Sequence, residues 1–95
     1  MSEFVKASRA MQEQKFDQAL KHLRKAIEID PGFVEAYNNL GVRLAKEGKM
    51  QDAAEQFIAA SKLDPHSTIA RENLRIVNAH LIEQRRTTPA NSFAR

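Results

Sequence analysis

Few side chains in this sequence of 95 residues have the chemistry for catalysis or metal binding, and none stands in a constellation that would use it. The histidines are His22, His66 and His80; no two share a metal-ligand spacing, and cysteine is absent. A structural zinc takes four protein ligands, so no metal site is expected. His80 and Glu83 are spaced i, i+3, which on a helix makes a surface contact. The stretch from Gly41 to Lys49 has glycines and a lysine, as a phosphate-binding loop does, but six residues separate Gly41 from Gly48 where that loop has four. Met50 also stands where a hydroxyl would hold magnesium. Ser8, Ser61 and Ser67 fall on helices or their ends, with no nucleophile elbow. The chain is therefore read as non-catalytic and without a cofactor.

Side chains suited to recognition are better placed. Asn39 and Asn73 stand 34 residues apart, and a side-chain amide both donates and accepts hydrogen bonds. Arg71, Arg75, Arg85 and Arg86 crowd the last third, which carries +5 and −2, against +6 and −5 over 1–33 and +4 and −5 over 34–66. A discontinuous arginine stripe can meet phosphates or an acidic protein surface. The plainer reading is a solvated helix face, with Arg85 and Arg86 well placed near a helix C-terminus. No aromatic residue interleaves with these arginines, so base stacking lacks support and nucleic acid is not the expected partner.

The chain is one domain's worth of sequence. At 42% hydrophobic and 28% charged it has the composition of a foldable, soluble chain rather than a disordered one. Three glycines, three prolines and no tryptophan argue against a many-turned β-sandwich. Without cysteine there are no disulfides, which is compatible with any compartment. No apolar run reaches the ~18–20 residues of a membrane span. The start, Met1-Ser2-Glu3-Phe4, lacks the basic and apolar regions of a signal peptide.

Elements emerge from an internal repeat. Shifted by 34, Lys15 falls on Lys49, Phe16 on Met50, Ala19 on Ala53, Leu23 on Phe57, Ala26 on Ala60, Asp30 on Asp64 and Pro31 on Pro65. A partial third copy sets Ala36 on Ala70, Asn39 on Asn73, Leu40 on Leu74 and Ala45 on Ala79. A fixed period of like residues marks one supersecondary unit repeated. Within it, Tyr37, Leu40, Gly41 and Leu44 recur at i, i+3, i+4, i+7, a helical stripe, ended by Gly48. Met50, Ala53, Ala54, Phe57 and Ile58 make a second stripe, ended at Asp64-Pro65 because the residue before proline leaves the helical region. The spacing predicts helices over 2–14, 16–29, 34–47, 50–62 and 67–86. Gly41 and Ala7 are small where paired helices cross, facing Ala53 with Phe57 and Ala19 with Leu23, so enlargement there is expected to be punished.

This pattern resembles the tetratricopeptide repeat, W-x2-L-G-x2-Y…A-x3-F…P. Residues 34–67 match it through Tyr37, Leu40-Gly41, Leu44, Ala53, Phe57, Ala60 and Pro65. Residues 1–33 match in their second half, while Glu3 and Lys6 replace the aromatic and the leucine. The resemblance runs over residues 1–86 and implies an all-α, short right-handed superhelix of antiparallel helical hairpins with five helices: repeat one at 1–33, repeat two at 34–67, and a capping helix at 67–86. Residues 87–95 are expected to be a disordered tail. The last helix has Arg75 in place of Gly41 and Ile82 in place of Gly48. That reads as a solubilising cap, the alternative being a longer repeat array.

In such an array the first helices line a concave side, and residues turned from the packing stripe face it. These are Glu35, Asn38, Asn39, Val42 and Lys46 in repeat two; Phe4, Ser8, Met11 and Gln12 in repeat one; and Ile69, Asn73, Ile76 and His80 on the last helix. The resemblance implies that Asn39 and Asn73 grip a peptide backbone; solvated surface or helix-to-helix hydrogen bonds are the alternatives. One subclass of the family clamps the C-terminal carboxylate of chaperone tails with lysine, asparagine, asparagine, lysine and arginine. The in-phase residues here are Phe4, Ser8, Asn39, Ile69 and Asn73, so the three basic groups are missing and that ligand is not expected. The partly apolar groove instead suits an amphipathic helix or hydrophobic peptide of a protein partner. The competing expectation is an assembly module, a homo-oligomer or subunit of a larger complex, with Phe4 and Val5 at the interface.

Overall fold

The computed structural model describes the backbone of residues 2–93 and the side chains of residues 2–86. Five helices follow one another: α1 (Glu3–Gln12), α2 (Phe16–Ile29), α3 (Val34–Lys46), α4 (Met50–Leu63) and α5 (Thr68–Phe93). No strand occurs among the described residues. Consecutive helices pack on each other, and α3 also meets α5, giving antiparallel hairpins stacked as a short solenoid.

Local chemistry explains the boundaries. Ser2 caps α1, its Oγ accepting from the Val5 N–H at 3.1 Å. α1 and α3 end in the same turn: Lys15 N–H donates to the Ala10 carbonyl at 2.8 Å, and Lys49 N–H to that of Leu44 at 2.9 Å. Both are six-to-one bonds that need a left-handed residue just before the donor. In the second hairpin that residue is Gly48, at φ 83°; in the first it is Gln14, at φ 60°. The ends of α2 and α4 are also copies. Asp30 and Asp64 both leave the helix at φ −136°, ahead of proline. The side chain of each turns back on the loop, Asp30 Oδ1 accepting from Gly32 N–H and Asp64 Oδ1 from His66 N–H. Ser67 Oγ accepts from the Ala70 N–H at the start of α5.

The last helix is longer than its spacing suggested. α5 runs on to Phe93, past the end expected at 86, so the tail expected from 87 is helical backbone as far as 93; residues 94 and 95 lie outside the described residues. No glycine occurs between Thr68 and Phe93, so nothing like the Gly48 turn after α3 stops this helix.

The core nests small groups against large ones, as the repeat demands. Ala7, Ala19, Ala26, Ala36, Ala53, Ala60 and Ala70 are buried, and Leu23, Leu44 and Phe57 are the largest fully buried side chains. Gly41 lies against the Phe57 ring: a Cβ there would sit 2.5 Å from Cε1. Tyr37 ties α3 to the preceding turn, its Oη donating to the Pro31 carbonyl at 2.8 Å. Repeat one has Glu3 at the position of Tyr37, and the carboxylate makes a polar latch instead. Its Oε1 is 2.7 Å from His22 Nδ1 on α2, and its Oε2 accepts from Lys6 Nζ at 3.1 Å.

Candidate interaction groove

Helices α1, α3 and α5 present two clefts that share one residue, Val42. The first, about 100 Å³, lies between α1 and α3, lined by Ala7, Ser8, Met11, Asn39 and Val42 with Leu23 of α2. The second, about 230 Å³, lies between α3 and α5, where Val42, Lys46, Asn73, Ile76 and His80 surround Met50, Phe57 and Val77. Leu23 and Phe57 occupy the same place in the repeat, so each cleft has the same kind of apolar floor. Of the groove residues expected from the sequence, Ser8, Met11, Asn39, Val42, Lys46, Asn73, Ile76 and His80 share these two clefts. The side-chain amides of Asn39 and Asn73 make no hydrogen bond among the described residues, so both retain their donors and acceptors.

Five expected residues sit elsewhere. Asn38 is buried, at 9% exposure, and its Oδ1 has no hydrogen-bond partner. A residue beside the packing stripe is covered when its helix has neighbours on several sides, and α3 packs against α2, α4 and α5. Phe4 is half-buried and packs on Phe33, ring centroids 4.8 Å apart. It lines a separate cleft of about 340 Å³ with Ile29 and Phe33, where α1 begins and α2 ends. Gln12, Glu35 and Ile69 are exposed and lie outside both clefts. Met50, Ala45 and Val77 line the second cleft without having been expected there. Met50 opens the second helix of the hairpin, and reasoning from the first helices alone passes over it.

Several charged groups elsewhere are paired. The Glu3 carboxyl is held below the usual carboxylate range by hydrogen bonds from His22 and then Lys6. Arg75 and Glu72 make a two-bond pair at 3.0 and 2.7 Å, which lowers the Glu72 carboxyl and raises the Arg75 guanidinium. Arg86 lies 3.6 Å from Glu83. Two of the four arginines of the basic stripe are thus matched by carboxylates one turn away. Between α2 and α3, Arg43 stacks 3.8 Å over the Phe16 ring and faces Glu47 at 3.5 Å. The cleft there, about 480 Å³, mixes Lys15 and Arg43 with Asp17 and Glu47 and favours neither sign of ligand. Among the described residues no cluster of three metal-ligating side chains occurs, and no helix is long and apolar enough to cross a membrane.

Stacked helical hairpins with a groove along their first helices define a helical-repeat protein. The family comparison gives the same answer: one TPR-repeat model matches residues 8–47 and a tetratricopeptide-repeat model matches residues 34–67. The chain belongs to the tetratricopeptide-repeat family, whose repeats mediate protein–protein interaction. It is similar to small glutamine-rich tetratricopeptide repeat-containing protein 2 of Mycosarcoma maydis, 33% identical over 61% of this chain and 16% of the relative. The chloroplastic tetratricopeptide repeat domain-containing protein PYG7 of Arabidopsis thaliana is 31% identical over 64% of this chain and 20% of its own. Human tetratricopeptide repeat protein 6 is 35% identical over 63% and 12%. The matched stretch spans no more than a fifth of any of these three relatives.

Proposed function

We propose that this chain is a non-catalytic interaction module that holds a peptide or helix of a protein partner in the groove of α1, α3 and α5. The observation that carries this reading is the pair of apolar-floored clefts meeting at Val42, flanked by the unengaged amides of Asn39 and Asn73. An apolar side chain of the partner enters a cleft, and the amides bond its backbone without regard to sequence. The test is capture of partners on the wild-type chain, identification by mass spectrometry, and titration of one partner into Asn39→Ala and Val42→Glu. Val42→Glu is expected to abolish binding and Asn39→Ala to weaken it. Full affinity in both variants removes the groove from consideration.

A second reading has its own support. Ile29, 70% exposed, lines the cleft at Phe4 and Phe33, and Val5, next to Phe4 on α1, is 46% exposed, apolar surface suited to assembly with another chain. Light scattering over a dilution series tests it: a constant monomer mass argues against self-association.

A further inference from the structure

Resting on that groove reading, we infer that the cleft between α3 and α5 selects a partner segment in which a large apolar residue is flanked by an acidic residue within the chain, not at its terminus. The cleft has the volume of about eight liquid water molecules, room for one large side chain. Its floor and walls are apolar: Phe57 and Val77 are buried beneath Val42, Met50 and Ile76. Its polar rim carries the Lys46 ammonium, the His80 imidazole and the Asn73 amide, and no carboxylate lines it. Lys46 makes no ion pair among the described residues. An uncompensated ammonium at the lip of an apolar cleft attracts a carboxylate and repels lysine or arginine, and the attraction strengthens once a bound segment displaces water. The cleft between α1 and α3 is lined by no charged side chain, so selection by charge falls on the second cleft.

Panning a phage-displayed library of random dodecapeptides against the protein tests this. Each peptide is joined to the coat protein at its C-terminus, so no free terminal carboxylate takes part. Retained peptides should carry Asp or Glu beside a large apolar residue, and a Lys46→Glu bait should shift the bias to Lys or Arg. A synthetic copy of an enriched peptide should bind Lys46→Glu about 5- to 10-fold more weakly and Lys46→Arg nearly as well as wild type. Peptides without acidic bias that lose binding to Ile76→Glu would overturn the charge selection and leave the groove reading standing. No enrichment, or peptides that bind Val42→Glu and Ile76→Glu as tightly as wild type, would overturn both. Lys46 and Ile76 are exposed, so these variants should fold, which circular dichroism checks.

Discussion

Adding one methyl group at Gly41 sets two effects against each other, and the geometry decides which wins. In the interior of a helix, alanine is favoured over glycine by about 0.5–1 kcal/mol, because glycine loses more backbone freedom. At Gly41 the new Cβ would lie 2.5, 2.8 and 2.9 Å from Cε1, Cζ and Cδ1 of Phe57. Carbon atoms rest at about 3.5–4.0 Å, so the ring must retreat by about 1 Å. Phe57 is 1% exposed, so its ring cannot retreat without displacing the side chains that cover it. Overpacking of this kind costs about 1–3 kcal/mol. Gly41→Ala should therefore destabilise by about 1–2 kcal/mol after the helical gain, and Gly41→Leu by about 3 kcal/mol. Urea denaturation followed by circular dichroism measures both. Phe57→Leu makes room, so in the double variant the two losses should fall short of their sum by about 1 kcal/mol or more. Stabilisation by Gly41→Ala, with losses that simply add, would refute the claim that Gly41 exists to admit this ring.

Two further outcomes concern repeat one. Gln14 holds a left-handed conformation that Gly48 occupies in the second hairpin, so Gln14→Gly should stabilise by about 0.5–1 kcal/mol in the same denaturation assay. The Glu3 carboxyl is depressed in the folded chain, so its contribution is present above the unfolded carboxylate value and disappears as pH falls through the folded one. The stability gap between wild type and Glu3→Gln should thus narrow on going from about pH 6 to about pH 3, and a gap independent of pH would exclude the latch.

The parts of this molecule legible in its sequence are those that recur. Leu23 and Phe57, Asp30 and Asp64, and Asn39 and Asn73 each announce a position twice, and a position used twice must satisfy the same packing. The bounds of α2, α3 and α4 and the in-phase residues of the two clefts came from that redundancy, whereas the end of α5 did not. What was not legible occurs once. Asn38 lies off the packing stripe, and only three-dimensional enclosure of α3 buries it. Its counterpart in repeat one, Phe4, is half-buried and packs on Phe33 instead. The glutamine side chain of Gln14 gives no sign of a positive φ; only its repeat position, in phase with Gly48, does, and the turn imposes it through the bond from Lys15 to Ala10. The Glu3 and His22 pair joins residues 19 apart that look, separately, like a failed aromatic and a surface histidine.

Apart from Asn38, these singular features gather in repeat one and have a common cause. Where repeat two wedges Tyr37 against the turn before it, repeat one has Glu3 at 14% side-chain exposure, bonded to His22 and Lys6. Where repeat two turns on a glycine, repeat one turns on a strained glutamine. A latch this near the surface is worth less than an apolar wedge, since solvent and salt screen it. Repeat one should therefore hold α1 less firmly than repeat two holds α3. Since α1 forms one wall of the narrower cleft, that wall is the part of the groove best able to shift around a ligand, while the α3–α5 cleft stays anchored on buried Phe57 and Val77. The division suits a site in which the firm cleft chooses the partner by one side chain and its charge, and the looser cleft adapts to the neighbouring residues of the same segment.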